Sequence, residues 1–486
     1  MNRLFARTLR NQLGLALALA ACLTFLLPPA PAQALFGSMT VKDEMEMGKQ
    51  FDNAIRAQMG FVDDPEIVAY VKGVVDRVAK ALPPQPWQIK SAVVANGSMN
   101  AFAIPGGYIY IFTGLILGVE NEDELAAVIG HELGHVTERH VAKRMDQMKF
   151  LNVASVAGMV AGALLGSGGG SNSANLGKAV MMGSAAGAQS AFLMYTRDNE
   201  READNVGINY LVKSGYNPDA MPRTFELMQK NRWFMSGDSV PSYLTTHPGL
   251  DERIGYLRER IKMMPQSYMQ RVFQREQFRR IQTIIRSRMT SADTALAYYE
   301  NKPESDLICL DRVGKGIALE RLKKFPLAEK SFQQALECGQ DDALVLREAG
   351  MFYFNRGDFA KSAPLLQKAT FLNPRDAMTQ FFLARILGEK KDFAQAIPAM
   401  RRVSREVPED SEVRYHLGRL LGESGDIFGA HLQLAYSALY GRDHEKAKFH
   451  LDRARHAART EDEKKELSDL ERAMGERRAA PPQARR

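Results

Sequence analysis

Residues 131–135 read HELGH, and residues 121–125 just before them read NEDEL. Asn121 is a favoured residue for a helix N-cap, and Glu124 three positions later completes the pattern of a capping box. An apolar run follows and leads into HELGH, so the spacing predicts one helix that begins near residue 122 and carries both histidines. This helix is the starting point for predicting the functional site.

The two histidines and the glutamate of this motif suit a metal site. A spacing of four residues places His131 and His135 on one face of the helix, where both imidazoles reach a single zinc ion. Glu132 lies beside that position and can take a proton from zinc-bound water. The pattern therefore predicts a zinc-dependent hydrolase, and the alternative is a helix with incidental surface histidines.

A catalytic zinc ion needs a third protein ligand. The extended motif with a third histidine is absent, because Glu138 and Val141 occupy the positions of its glycine and its histidine. His140 is predicted to point away from His131, since on a continuous helix the two residues lie on opposite sides. The third ligand is therefore expected from a distant part of the chain.

The acidic stretch 197–204 is predicted to be a helix that supplies this ligand. Glu200 shares a helix face with small and apolar residues that allow close packing, whereas Glu202 shares its face with polar residues. We therefore predict Glu200 as the ligand. Asp204, one turn later, is predicted to accept the outer ring N–H of a liganding histidine. The alternative for both carboxylates is an exposed acidic face at a helix start.

The second half of the chain repeats with a period of 34 residues. Two registers show it, with bulky residues at Phe325, Phe359, Phe393 and Ile427 and aspartates at Asp358, Asp392 and Asp426. The period resembles that of the tetratricopeptide repeat (TPR), in which helix pairs stack into a superhelix with a long concave surface. That surface is predicted to bind protein segments.

Cys309 and Cys338 are predicted to lie at neighbouring ends of one antiparallel helix pair of this array. This position is compatible with a disulfide, particularly in an exported protein. The alternative is two unrelated small apolar side chains.

HELGH, followed by the stretch TRDNEREAD at 196–204, resembles the zinc metallopeptidase family of HtpX and the CAAX prenyl endoprotease. The exported, TPR-bearing branch of BepA-like, β-barrel assembly-enhancing proteases is similar over nearly the whole chain. The resemblance implies an α+β gluzincin-type metallopeptidase domain, helices with a small sheet, followed by an all-α TPR solenoid. It also implies one Zn²⁺ per chain, held by His131, His135 and Glu200, with Glu132 as the base.

In the same branch a histidine in a later loop can occupy the open zinc position as a self-inhibiting plug, and it corresponds to His247. Pro248 favours an extended segment that could lie across a cleft, and the alternative is a plain loop histidine. Arg253 is predicted to stabilise the tetrahedral oxyanion, with an ordinary surface arginine as the alternative.

Residues 100–107 and 108–112 read NAFAIPGG and YIYIF. They predict two strands joined by a tight Pro-Gly-Gly turn. An exposed edge of this hairpin would align an extended substrate beside the zinc ion. The alternative is a purely structural hairpin.

The first residues predict export. Three arginines, an apolar run from Leu13 to Leu27 and a small-x-small pattern ending at Ala34 are typical of a signal peptide cleaved after Ala34. The predicted location is the periplasm. The alternative is a lipoprotein anchored at Cys22.

Composition and charge exclude several classes of protein. The chain is 45% hydrophobic and 25% charged with a mean hydropathy of −0.28, which excludes a polytopic membrane protein. The formal net charge of +7 includes the arginines of the signal, so no nucleic-acid partner is predicted.

Changes in composition divide the chain into five parts. These are a signal peptide (1–34), a zinc metallopeptidase domain (35–264), a helical connector (265–290), a TPR domain (291–474) and a disordered tail (475–486). The Ala/Gly-rich stretch 151–193 is predicted to form a mobile lid that can contact a membrane or a substrate.

These observations predict a periplasmic zinc endopeptidase that degrades misfolded or misassembled envelope proteins. The resemblance implies outer-membrane proteins as substrates and the outer-membrane assembly machinery as a partner that docks in the TPR groove. The alternative is a TPR chaperone or scaffold with a silent or structural metal site.

Overall fold

The computed structural model describes residues 40–147, 195–234, 242–271 and 275–478. The predicted signal with both of its cleavage sites and the predicted lid at 151–193 lie outside these residues. Among the residues described, no helix is long and apolar enough to cross a membrane.

The N-terminal part combines helices with a small sheet. Its helices are α1 (Val41–Gln58), α2 (Pro65–Ala79), α3 (Thr113–Gly118), α4 (Glu122–Thr137), α5 (His140–Gln147), α6 (Arg197–Lys213), α7 (Ala220–Phe234), α8 (Ser242–Thr246) and α9 (Leu250–Lys262). Its strands are β1 (Lys90–Val94), β2 (Ala101–Ile104) and β3 (Tyr108–Phe112).

The sheet has the order β1-β3-β2, with β1 parallel and β2 antiparallel to β3. The predicted hairpin is confirmed: β2 and β3 are joined by Pro105, Gly106 and Gly107. Both glycines have positive φ angles, +79° and +82°, which residues with a side chain rarely adopt. Strand β2 is an edge of this sheet.

Alternation along β3 places the sheet between two apolar layers. Ile109 and Ile111 belong to the large core formed with α2, α4, α6 and α7. Tyr110 and Phe112 face the other way and pack against α1, for example against Phe51.

Helices α4 and α6 lie in backbone contact at the centre of the large core. A Cβ atom on Gly134 would lie 2.7 Å from the carbonyl oxygen of Ala203, and one on Gly207 would lie 2.9 Å from that of Gly130. Only glycine fits such an approach, so these residues bring the two helices close together. Helix α4 begins as predicted, with the Asn121 side chain accepting a hydrogen bond from the Glu124 amide at 3.0 Å.

The prediction of a continuous helix through His140 is wrong. Helix α4 ends at Thr137, and Arg139 adopts a left-handed conformation with φ 53° before α5 begins at His140. The reversal turns His140 towards the histidines of α4, and its side chain is buried.

The C-terminal part is helical throughout its described residues. Its α-helices are α10 (Arg275–Met289), α11 (Ala292–Glu300), α12 (Cys309–Arg321), α13 (Phe325–Cys338), α14 (Ala343–Asn355), α15 (Phe359–Leu372), α16 (Ala377–Glu389), α17 (Phe393–Glu406), α18 (Ser411–Glu423), α19 (Ile427–Tyr440), α20 (His444–Ala457) and α21 (Glu461–Arg478). From α12 to α19 they form consecutive pairs with the predicted period, which confirms the TPR array.

The structure joins Cys309, at the start of α12, to Cys338, at the end of α13, by a disulfide with a Cα–Cα distance of 5.8 Å. At the other end of the array, α21 continues through Arg478 although the disordered tail was predicted from Gly475. Glu476, Arg477 and Arg478 favour the helix and extend it.

Helix α10 attaches the repeats to the N-terminal part. Phe278, Ile281 and Ile285 lie at helix spacing in the predicted connector and enter the large core. Gln282 Nε2 donates hydrogen bonds to the carbonyl oxygens of Ile116 and Val119, at 2.9 and 2.8 Å.

Two arginines of α10 form ion pairs with the repeats. Arg288 pairs with Glu348 of α14 at 2.6 Å, and Arg280 pairs with Asp342 at 3.0 Å. These pairs form because α10 packs against the first repeats instead of standing apart from them.

Candidate metal centre

Four predicted site residues converge at one point of the fold. His131 and His135 come from α4, Glu200 comes from the first turns of α6, and His247 follows α8 directly. Each offers one ligand atom within 4.8 Å of the others, and all four side chains are buried. The close contact of α4 with α6 brings Glu200 up to the histidine pair.

The ring nitrogens and carboxylate oxygens of this cluster face inward. The Nε2 atoms of His131 and His135 are 3.0 Å apart, and the Glu200 oxygens lie 3.4 and 3.3 Å from them. His247 Nδ1 lies 3.0 Å from Glu200 Oε1 and 3.4 Å from His131 Nε2. Two imidazoles and a carboxylate with one further position are the donor set of a catalytic zinc site.

The cluster also contains buried polar atoms that lack partners, which tests the fit of a metal ion. Among the described residues, neither carboxylate oxygen of Glu132 has a hydrogen-bond partner, and the hydroxyl of Tyr243 has none. Buried polar groups are normally satisfied, so these orphaned atoms indicate that a ligand or a water belongs here. The donor set and the orphaned base together fit Zn²⁺.

Asp204 contacts the outer nitrogen of one histidine, where it was predicted. Its Oδ1 lies 2.8 Å from His131 Nδ1. Arg253 donates from Nε and Nη2 to the two Asp204 oxygens, both at 2.8 Å, and its Nη1 contacts Glu200. The guanidinium therefore lies between the two carboxylates, and only 3% of Arg253 is exposed.

Charge and burial act against each other at the carboxylates. Burial alone would raise the pKa of Glu200, but His247 and Arg253 outweigh it and hold that pKa well below its usual value. For Glu132 burial is dominant and raises the pKa, although His247 and His131 oppose it. Environments that push two neighbouring carboxyl pKa values apart suit one group to be a permanent anion and the other to exchange protons.

Two tyrosines complete the walls of the site and were missed from the sequence. The Tyr195 ring stacks on His135 with centroids 3.7 Å apart, and the Tyr243 ring stacks on His247 at 4.2 Å. No motif or periodicity singles out either residue. Their positions are the only signal: Tyr195 directly precedes the stretch 196–204, and Tyr243 lies four positions before His247.

His140 was also missed, because a continuous helix would have pointed it away. Its Nδ1 lies 2.8 Å from His135 Nδ1, and its Nε2 lies 3.0 Å from Glu202 Oε2. Glu202 is not in the metal cluster, and 48% of its side chain is exposed. The contrast with the buried Glu200 follows the helix faces that were predicted.

Strand β2 reaches the same region. A pocket beside His135 is lined by Ala103, Ile104 and Pro105, and by Arg139 just before α5. Of the metal cluster, His135 lines this pocket, so the predicted substrate-holding edge lies beside one of the candidate metal ligands.

Comparison with known proteins agrees with this architecture. Residues 63–261 match the sequence model of Peptidase family M48, and stretches between 313 and 427 match the tetratricopeptide repeat.

Similar curated proteins carry related names. The chain is 32% identical over 227 residues to the beta-barrel assembly-enhancing protease of Yersinia pestis, covering 47% of this chain and 46% of the relative. It is 28% identical over 312 residues to a putative beta-barrel assembly-enhancing protease of Vibrio cholerae, covering 64% and 63%. It is 31% identical over 163 residues to the metalloprotease LoiP of Escherichia coli, covering 34% and 59%. The matched region thus spans less than two thirds of each relative.

Proposed function

Because residues 63–261 form a domain of peptidase family M48 and tetratricopeptide repeats follow it, we propose that the protein is a zinc-dependent endopeptidase. The observation that carries this proposal is the buried cluster of three histidines and one glutamate beside Glu132, whose carboxylate oxygens accept no hydrogen bond from the described residues. A purely structural metal site has no use for such a base.

The residues in and beside the cluster have different roles. His131, His135 and Glu200 would hold the ion, which supplies Lewis acidity for the scissile carbonyl and for the attacking water. Glu132, which lies beside the cluster with no hydrogen-bond partner among the described residues, would take the proton of that water and deliver it to the leaving amine.

We assign Arg253 a different role from the oxyanion donor predicted from the sequence. Its guanidinium is engaged by Asp204 and Glu200, so it fixes the orientation of both carboxylates. Through Asp204 it also holds the ring of His131 in place.

His247 gives the resting protein a way to restrain its own activity. Its ring lies within the metal cluster and stacks on Tyr243, and its Nε2 is 3.5 Å from Glu132 Oε1. With a zinc ion bound by His131, His135 and Glu200, the His247 imidazole would compete with the hydrolytic water, so this arrangement would correspond to a closed state. Substrate binding must displace the segment of His247 before hydrolysis.

The substrates we propose are unfolded or misassembled envelope proteins in the periplasm. The relatives' names, which refer to the assembly of β-barrels, and the predicted export signal support this class. Strand β2 beside His135 would align an extended chain through backbone hydrogen bonds, which requires little of its sequence.

The repeats offer a docking face for a partner protein. Equivalent positions of successive repeats, 34 residues apart, hold Arg347, Phe381, Tyr415 and Phe449. Arg347 is covered by the peptidase domain, where it donates to Glu66 at 2.6 Å. Tyr415 and Phe449, further along the same face, are 48% and 52% exposed. Phe381 is buried, so we define the exposed Tyr415 and Phe449 as the docking face.

A half-buried arginine adds polar character to this face. The Arg385 guanidinium lies 4.5 Å from the Phe354 ring centroid and 5.3 Å from that of Phe381. Its contact with Glu412 is long, at 3.8 Å. The rings beside Arg385 are buried, whereas Tyr415 and Phe449 are exposed. Exposed aromatic residues are enriched among interaction hot spots, so we propose that an extended apolar segment of an envelope protein docks on Tyr415 and Phe449.

The alternative is a TPR chaperone or scaffold with a silent metal site. One observation favours it, since His247 already occupies the cluster in this structure. The intact Glu132, whose carboxylate accepts no hydrogen bond from the described residues, favours the enzyme.

Three forms of the full chain separate these functions: wild type, Glu132→Gln and His247→Ala. Zinc content and the rate of casein cleavage are measured for each. We expect bound zinc in all three, loss of cleavage by at least about 100-fold in Glu132→Gln and a several-fold gain in His247→Ala. Equal cleavage by all three proteins would contradict the proposal.

The docking face is tested with the inactive Glu132→Gln chain as the background. Binding of a urea-denatured outer-membrane protein is followed by fluorescence anisotropy. We expect Tyr415→Ala with Phe449→Ala to weaken binding by about 10-fold or more, since removal of exposed anchors costs over 1 kcal/mol each. Phe371→Ala, at an 82% exposed aromatic residue of α15 outside the face, is the matched control. Equal losses in both variants would refute the docking face.

A further inference from the structure

The break between α4 and α5 creates a contact that a continuous helix would not make. Arg139 has φ 53°, in the left-handed region that non-glycine residues rarely adopt. The turn brings His140, five positions after His135, back to the outer side of the His135 ring. Their nearest ring nitrogens are 2.8 Å apart.

A hydrogen-bonded chain runs from the metal cluster to the protein surface through this contact. His135 Nε2 faces the cluster, at 3.3 Å from Glu200 Oε1, so its Nδ1 points outward to His140 Nδ1. His140 Nε2 then contacts Glu202 Oε2 at 3.0 Å. The His140 side chain is fully buried, whereas Glu202 lies at the surface.

The positions of the protons follow from the chemistry of imidazole. A histidine that binds a metal through Nε2 carries its proton on Nδ1, so His135 must donate to His140. Since His140 accepts at Nδ1, its own proton is on Nε2 and is donated to Glu202. One arrangement of protons thus gives both of these contacts, His135 to His140 and His140 to Glu202, a donor and an acceptor.

We propose that His140 and Glu202 are positioning residues for the metal ligand His135, acting as a relay in which a buried imidazole connects the ligand to a surface carboxylate. The inference rests on the proposed zinc site but concerns residues outside the cluster. In this proposal the two histidine ligands are oriented in different ways. The buried Asp204 orients His131 directly, whereas Glu202 orients His135 through the ring of His140.

This difference has a physical consequence for the metal. Asp204 is buried and held by Arg253, so its support of His131 is rigid. Glu202 is exposed to water and its charge is screened, so its support of His135 depends on the bond to His140 being made. The relay also links α5, through His140, to α6, through Glu202.

The test measures the zinc dissociation constant of the full chain by competition with a chelator. We expect His140→Phe to weaken zinc binding by about 10- to 100-fold, the usual effect of removing a partner of a liganding histidine. His140→Gln should stay within about threefold of wild type, because its amide can accept from His135 and donate to Glu202. His416→Phe, at a buried histidine of the repeats, is the matched control and should bind zinc as wild type does.

Glu202→Ala keeps the proposal testable if His140→Phe fails to fold, because Glu202 is at the surface. We expect it to weaken zinc binding by about threefold to 10-fold. Since Glu202 acts through His140, the double variant should bind zinc no more weakly than His140→Phe alone. The visible spectrum of the cobalt-substituted protein gives a second readout, and a shift is expected in His140→Phe and not in His140→Gln.

The outcomes distinguish the relay from the proposed function. Wild-type zinc affinity in both His140→Phe and Glu202→Ala would overturn the relay and leave the zinc site intact. Additive effects in the double variant would likewise overturn it. A wild-type chain that binds no zinc would overturn both proposals.

Discussion

One buried histidine, far from the metal cluster, makes stability depend on pH. Burial, with Arg385 and Arg419 nearby, lowers the pKa of His416 to about 4, although Glu389 opposes them, and Glu412 lies 3.8 Å away. The unfolded chain binds a proton near pH 6.5 and the folded chain does not, so stability is lost as the pH falls from about 6.5 towards 4.

We expect the free energy of unfolding to fall by about 1–2 kcal/mol more in wild type than in His416→Gln between pH 7 and pH 5. Urea unfolding at the two pH values measures the difference. His456→Gln, at an exposed position of α20, is the control and should keep the wild-type dependence. A dependence that persists unchanged in His416→Gln would contradict the assignment.

Site residues were predictable from the sequence wherever helix periodicity alone determines where they lie. His131, His135 and Glu200 follow from the two helix faces, and the structure places them together. His140 was not predictable, because no glycine marks the left-handed turn at Arg139. Residues brought in by tertiary packing leave no local pattern, and Tyr243 is an example.

At the scale of elements, the contact between α4 and α6 holds the metal site together. Small residues on α6 predicted close packing, and Gly134 within HELGH turned out to be part of the contact. The sequence pattern does not show which glycines of the two helices meet. That depends on the crossing point, which the surrounding core determines.

We expect Gly207→Ala to force α6 away from α4, because its Cβ would lie 2.9 Å from the Gly130 carbonyl oxygen. The cost should be about 1–3 kcal/mol of stability, with weaker zinc binding as Glu200 moves away. Gly73→Ala in α2 is the matched control, since nothing lies within 4 Å of its Cβ position. That variant should gain about 0.5–1 kcal/mol, and both changes are measured by chemical denaturation.

If Gly207→Ala keeps wild-type stability and zinc affinity, the two helices are not held at backbone contact in solution. Loss of stability in Gly73→Ala as well would indicate a general intolerance of alanine in these helices. Close packing of α4 against α6 is supported only if Gly207→Ala loses stability while Gly73→Ala gains it.

At the scale of the whole molecule, the peptidase domain and the first repeats share one core. Leu310 of α12 and Leu344 of α14 belong to the same apolar cluster as Ile129 of α4. The sequence predicted two domains and a connector, but not this shared core. Residues that bind another domain have the same apolar character as residues that fill a repeat.

Arg347 is central to this interface. It is buried and pairs with Glu66 of α2 at 2.6 Å, with Asp376 at 2.9 Å and with Glu348 at 3.0 Å. We expect Arg347→Met to destabilise the protein by about 3–5 kcal/mol, because it leaves the buried Asp376 without its cation, whereas Glu348 keeps Arg288.

Calorimetry provides the measurement for this variant. Wild type should unfold the peptidase domain and the first repeats in one transition, and Arg347→Met should lower its midpoint or divide it. Lys368→Met removes an exposed ion pair with Asp341 and should change stability by less than about 0.5 kcal/mol. Two separate transitions in wild type would contradict a shared core.

The disulfide between Cys309 and Cys338 determines the order in which the repeats unfold. It closes the first full repeat, next to the peptidase core, whereas no such crosslink is present in the later repeats that the structure describes. A stack whose units contact only their neighbours frays from its free end. Heat or mechanical load should therefore unfold the described repeats from α21 inward, so the proposed docking face is lost while the metal cluster is still folded.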